Sequence, residues 1–368
     1  MQRQLPLLSS VELCAGGGGQ ALGLEQAGFA HAAAVELNPA CCATLRLNRP
    51  TWHVAERSLT AFAGTPYKGV ELLAGGLPCP PFSKAGKQLG REDERNLFPE
   101  AVRLADEIRP RAIMIENVRG FLDARFDDYR QYIAGELHKL GYRTGWRLFN
   151  ASAFGVPQLR PRVVLVALKQ DLYEHFAWPT GTMTPPTVGD TLYDLIAARG
   201  WAGAAAWREQ ANKIAPTIVG GSTKHGGPDL GPTRARLAWA SLGVDGKGIW
   251  DEAPDVDFVG MPRLTVRMVA RLQGFPDDWH FFGRKTAAYR QVGNAFPPPV
   301  AKAIAAQIHQ ALRVRRLYAV KVVTPIGGNA RQVLYHEAHE AHEGRTTACC
   351  APCPTRTATH STEISRTL

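Results

Sequence analysis

The sequence has no run of about 18 or more apolar residues, so no segment reads as a membrane-spanning helix. Its first residues, MQRQLPLLSSVEL, carry neither the long apolar stretch nor the small-residue cleavage site of a secretory signal. A soluble, cytoplasmic protein is therefore expected. Cysteine is scarce, with seven in 368 residues: Cys14, Cys41, Cys42, Cys79, Cys349, Cys350 and Cys353. An odd number at irregular spacing in so long a chain is no disulfide framework. It fits a reducing compartment, where one well-placed thiol can act as a nucleophile. The glycine spacing GxGxxG of dinucleotide enzymes is absent, and so is the H-E-x-x-H pattern of zinc proteases. Acidic residues fall short of basic ones, 33 against 43, which leaves a net charge of +10. Such an excess suits a polyanionic partner or a merely basic enzyme.

Hydrophobic residues make up 45% of the chain, enough for a large core. In the first half, short apolar runs alternate with helical patterns. Residues 7–14, 32–35, 70–74, 112–115, 146–149 and 163–168 read as strands, and a helix begins at about 21–27. Residues 97–108 and 129–140 have helical spacing. This alternation predicts an α/β fold with a doubly wound, mostly parallel sheet. Around residue 175 the composition changes to proline, threonine and then glycine, with little periodicity up to about 262. That stretch reads as a smaller, loop-rich module. Regular structure resumes with a helix at 264–272 and an alanine-rich helix at 300–317. The division expected is 1–175 and 263–320 for one domain, 176–262 for the module, and 321–368 for a low-complexity, disordered tail.

Five segments carry candidate chemistry. The first is Leu13-Cys14-Ala15-Gly16-Gly17-Gly18-Gly19, between a strand and a helix, with Glu36 closing the next strand. Glycines there admit a ligand close to the backbone, and a carboxylate at Glu36 can accept both hydroxyls of a ribose. The second is Gly75-Gly76-Leu77-Pro78-Cys79-Pro80-Pro81-Phe82-Ser83. Prolines stiffen the backbone around one thiol, and the polar run KAGKQLGREDER follows like a mobile loop. A buried structural cysteine is the competing reading. The third, Glu116-Asn117-Val118, offers either a helix cap or a carboxyl whose pKa is raised against an apolar strand end. The fourth, Gln158-Leu159-Arg160-Pro161-Arg162, offers guanidiniums for phosphate or carbonyl oxygens, or a charged sheet edge. The fifth, Gln291-Val292-Gly293-Asn294, is expected to open the last helix, with Asn294 as its cap or lining a cofactor site.

Together, and in this order, these segments resemble those of the bacterial DNA cytosine-5 methyltransferase family, from about Ser10 to Leu317. Ala270 to Asp277, A-R-L-Q-G-F-P-D, adds a sixth match. The resemblance implies S-adenosylmethionine as cofactor, duplex DNA as substrate and a flipped-out target cytosine. It makes Cys79 the nucleophile at carbon 6. Glu116 holds the exocyclic amine and protonates N3, and Arg162 binds O2. Arg160 supports Arg162 or touches phosphate. Cofactor contacts fall on Ala15, Gly16, Gly17, Gly18, Gly19, Glu36, Leu37, Ser58, Pro78, Leu97 and Asn294. The module becomes a target-recognition domain reading base edges in the major groove. No metal is implied, and the three histidines His336, His339 and His342 of the tail are read as compositional. A monomer on DNA is expected, alone or paired with a restriction endonuclease for the same site. An RNA methyltransferase on the same scaffold and a catalytically inert DNA-binding relative are the alternatives. The sequence departs from the family pattern at Cys14, where a Phe is usual, at Ser58, where an Asp is frequent, at Pro80, where a Gln follows the nucleophile, and at Met268, where a Glu often stands. The run 93–98 is also one residue shorter than the common form.

Overall fold

The computed structural model describes residues 7–78, 96–220 and 228–317. Contacts divide the chain at Leu317, and the 318–368 tail with its histidines and cysteines lies outside the described residues. No described helix is long and apolar enough to cross a membrane.

The strands are β1 (Leu8–Leu13), β2 (Phe29–Glu36), β3 (Val54–Glu56), β4 (Leu72–Gly76), β5 (Ala112–Val118), β6 (Tyr142–Asn150) and β7 (Pro161–Lys169). They form one sheet in the order β3-β2-β1-β4-β5-β7-β6. β1 to β5 run parallel, and β7 is antiparallel to both its neighbours. The mostly parallel, doubly wound sheet expected from the alternation is thus present. Central strands read as continuous apolar runs because helices cover both faces: in β7, Val163 to Leu168 are all buried. The sequence pattern missed β3, which has only three residues, and found only the second half of β6.

The helices of the first half are α1 (Gly19–Gln26), α2 (Pro39–Asn48), α3 (Phe98–Ile108), α4 (Asp127–Lys139) and the short α5 (Gln170–Tyr173). In α3, Phe98, Ala101, Leu104, Ala105 and Ile108 recur at helical spacing and fill one face of the sheet. Residues 176–262 contribute α6 (Val188–Ala197), α7 (Ala204–Gln210) and α8 (Thr233–Ala240). α7 and α8 are short and rich in alanine, which hides their periodicity, whereas α6 carries Val188, Leu192 and Ile196 at helical spacing that the composition of the stretch obscured. Their Leu192, Ile196, Trp207 and Trp239 pack in one cluster with Leu22, Leu45, Phe275 and Trp279 of the sheet-bearing part.

The chain closes with α9 (Val266–Leu272), α10 (Lys285–Asn294) and α11 (Pro298–Leu317). Gln291 to Asn294 therefore end a helix rather than open the last one. Pro297, Pro298 and Pro299 explain the break, since residues before proline are pushed out of the helical region while proline fits a helix's first turn. On α11, Val300, Ala301, Ile304, Ala305, Ile308, Ala311 and Leu312 are buried against the sheet. α1 lies close enough that a Cβ on Gly23 would stand 2.5 Å from the Ala301 Cβ.

Candidate active site at the carboxyl edge of the sheet

In an open parallel sheet, ligands bind where the strand order reverses. Here that crevice lies between β1 and β4. The glycine turn leaves β1 there, and β4 ends at Gly76, three positions before Cys79. Cys79 itself, in the stretch 79–95, lies outside the described residues.

The turn is tied to the next strand by Glu36. Its Oε2 accepts the Gly16 N–H at 2.8 Å, and Oε1 accepts those of Leu37 and Asn38 at 2.9 and 2.7 Å. Cys14 enters the turn in the left-handed region, at φ 52°. Burial, and then the charges of Glu36 and Glu12, push its thiol far above the usual range. Burial likewise pushes Cys41 up to about 12 and Cys42 up to about 11. All three described cysteines thus remain thiols at neutral pH and are poor nucleophiles.

The four glycines serve different neighbours. A Cβ on Gly17 would stand 3.0 Å from the Gln291 Cβ, one on Gly18 2.5 Å from the Trp279 ring, and one on Gly19 2.4 Å from the Phe296 carbonyl oxygen. Those three are crowded by α10 and by the loops on either side of it, and Gly18 also stands at a φ of 87° that favours glycine. At Gly16 the nearest atom is 4.0 Å away, so only there does the missing side chain leave open space. Trp279, which donates from Nε1 to the Gly17 carbonyl at 3.0 Å, was not singled out by the sequence reading. Nor was Glu12, a buried carboxyl below the turn whose pKa burial raises.

Of the other expected cofactor residues, Leu37 is 66% exposed. The Ser58 hydroxyl is engaged locally: it accepts the Ala61 N–H at 3.3 Å and pairs with Thr60 Oγ1 at 2.8 Å. Pro78 and Leu97 flank the 79–95 stretch, and Leu97 packs against the α3 core. Asn294 is exposed at the end of α10. A cavity of about 380 Å³ beside β3 is lined by residues such as Glu56, Phe62 and Tyr67, and by none of the expected cofactor residues.

Two strands further along the same edge, Glu116 sits within β5, only 5% exposed. It is not a helix cap. Because β7 runs against β5, Arg162 at the start of β7 stands opposite Val118 at the end of β5. Arg162 Nε reaches Glu116 Oε1 at 2.8 Å. Burial raises the Glu116 pKa, against the opposing pull of Arg162 and then Arg160. Asn117 binds this strand to β4, donating to the Leu77 carbonyl at 3.5 Å.

Arg160 differs from Arg162. It is fully buried, donating from Nη1 to the Ile218 carbonyl at 2.6 Å and from Nη2 to those of Gly293 and Ala295 at 2.8 and 3.0 Å. A phosphate contact by this guanidinium is therefore ruled out; its place is interior. Gln158 shares the knot, accepting from the Ile218 N–H at 2.9 Å and donating to Gln273 Oε1 at 2.5 Å. Gln273 donates in turn to the Val292 and Ala295 carbonyls at 3.0 and 2.8 Å. Sequence spacing gave no signal for this role of Gln273.

The chain is 58% identical over 316 residues to the type II methyltransferase M.NaeI of Lentzea aerocolonigenes, covering 83% of this chain and 76% of the relative. It is 53% identical to the type II methyltransferase M.NgoMIV of Neisseria gonorrhoeae, covering 83% and 98%. The fold matches that of a Spodoptera frugiperda DNMT2 mutant at a TM-score of 0.58 and 17% identity, over 82% of this chain and 99% of that one. With residues 8–310 matching the family model for C-5 cytosine-specific DNA methylase, the chain belongs to that family.

Proposed function

We propose that the chain methylates carbon 5 of cytosine in a specific duplex DNA sequence, with Cys79 as nucleophile, Glu116 as the acid at N3 and Arg162 at O2. The observation that carries this reading is the buried Glu116–Arg162 pair, 2.8 Å apart at the sheet edge where β4 ends, three positions before Cys79 in the sequence. Cytosine carbon 5 is a weak nucleophile until a thiolate adds to carbon 6. As the S–C6 bond forms, the displaced electron pair moves toward N3, and Glu116 supplies the proton that neutralises it. The carboxyl must hold that proton at working pH, which its burial favours. Arg162 both orients Glu116 and offers its remaining donors to O2. Once carbon 5 is methylated, a base removes its proton, the C5=C6 bond re-forms, the S–C6 bond breaks and the Cys79 thiolate leaves. Glu116 then recovers its proton from N3. The target base must leave the stack for any of these contacts.

The residues at the β1–β2 end suit S-adenosylmethionine. The carboxylate of Glu36 has acceptor capacity beyond its three backbone N–H partners, and the open face of Gly16 admits a ligand against the backbone. When bound, this cofactor supplies the electrophilic methyl group that carbon 5 accepts. Glu36 would hold the ribose, the turn from Ala15 to Gly19 would border the methionine part, and Pro78, Leu97 and Asn294 would complete the site. Residues 176–262 would act as the target-recognition domain. A restriction endonuclease sharing the site is the expected partner, in keeping with relatives named as type II methyltransferases.

Bisulfite sequencing of DNA from cells expressing the chain tests the activity and finds the site together. Methylated cytosines at one recurrent sequence are expected, and none at any sequence would overturn the reading. Cys79→Ala is expected to abolish transfer, and duplex DNA carrying 5-fluorocytosine is expected to become covalently trapped on the wild type alone.

A further inference from the structure

The module and the Q-V-G-N helix end meet backbone to backbone. A Cβ on Gly293 would stand 2.6 Å from the Gly220 Cα, and a Cβ on Gly220 would stand 1.9 Å from Asn294 Oδ1 and 2.6 Å from its Cγ. Gly220 does not have the positive φ that would itself demand glycine; an added methyl group would instead have to displace the exposed Asn294 side chain. The contact is held from both sides. One guanidinium, that of Arg160, binds Ile218 two residues before Gly220 and Gly293 across from it. Further along the module, the Tyr289 hydroxyl on α10 donates to the Asp229 carbonyl at 2.7 Å. The side chain of Asn294 therefore lies where it does because the module presents a bare Cα to it.

We propose that Gly220, though part of the recognition module, is a positioning residue for the methyl-donor site. It sets the side-chain amide of Asn294, so the module and the donor site share one wall. The proposal rests on the assignment of Asn294 to the cofactor. Any shift of the module backbone at 218–220 would then change the affinity for the methyl donor, and donor binding would change the module in return, because coupling free energies are reciprocal.

A double-mutant cycle read by calorimetry with S-adenosylmethionine tests this without turnover. Gly220→Ala is expected to raise the dissociation constant about tenfold with an unchanged thermal midpoint. Asn294→Ala is expected to raise it comparably, and the double variant should bind no worse than Asn294→Ala alone, since the side chain that the new methyl group would displace is gone. Wild-type affinity in Gly220→Ala, or additive losses in the double variant, would overturn the proposal. Wild-type affinity in Asn294→Ala would overturn it together with the assignment on which it rests, whereas DNA methylation by the wild type reports on the activity independently. Should Gly220→Ala lower the midpoint, Asn294→Gly in the same chain should restore it; failure to do so would show that another contact is at fault.

Discussion

Glu116 holds a carboxyl in a place that disfavours its charge, with a cation 2.8 Å away that favours it. Burial is the larger influence, so the pKa moves up from the ordinary 4.5. The protonated form is the one that can donate to N3, and a raised pKa carries that form to higher pH. The single-turnover rate should therefore have a limb that falls as pH rises through the Glu116 pKa. Glu116→Gln should remove that limb and lower the rate about 100-fold; a limb that survives the substitution would belong to another group. At this scale residue type and strand position were enough to single out Glu116 and Arg162, which the fold brings side by side. They were not enough at Arg160. Two arginines spaced by two look alike in the chain, and only the carbonyls of Ile218, Gly293 and Ala295 separate their roles. The glycine turn shows the same limit, since crowding by Trp279 and Phe296 leaves no mark on the turn's own residues.

Elements with strong periodicity or long apolar runs were legible: β1, β5, β7, α3, α4 and most of α11. Those that failed are set by neighbours. β3 is three residues long and exists by pairing with β2. α7 and α8 hold their shape through a core shared with the sheet-bearing part rather than through an apolar stripe of their own, whereas α6 adds its own stripe of Val188, Leu192 and Ile196 to that core. The junction of α1 with the loop before α11 makes a test at this level. Gly19 begins α1, and an added methyl group would stand 2.4 Å from the Phe296 carbonyl oxygen, a backbone atom with little freedom to retreat. Gly19→Ala should destabilise the protein by about 1–3 kcal/mol through overpacking, read as a lower urea midpoint. An unchanged midpoint would mean that the α10–α11 connection yields more easily than Pro297 and the two prolines that begin α11 imply.

For the molecule as a whole, the charge excess was the first hint of a polyanion. The residues after Leu317 hold five basic and four acidic side chains, so nearly all of the +10 belongs to residues 1–317. Affinity for duplex DNA should therefore fall steeply with salt, by tenfold or more between about 50 and 200 mM; a flat dependence would show that few phosphates are neutralised. The change of composition near 175 was legible, but how the following stretch joins the rest was not, since that depends on contacts such as Gln158 with Ile218 and Leu159 with Ala215. On the module's side those partners are main-chain atoms: the N–H and carbonyl of Ile218, and the N–H and carbonyl of Ala215. Main-chain atoms are common to every sequence. A clasp made on them constrains where the backbone runs at 215–218 whatever side chains stand there, so residues outside the shared core could change while this part of the joint stays intact.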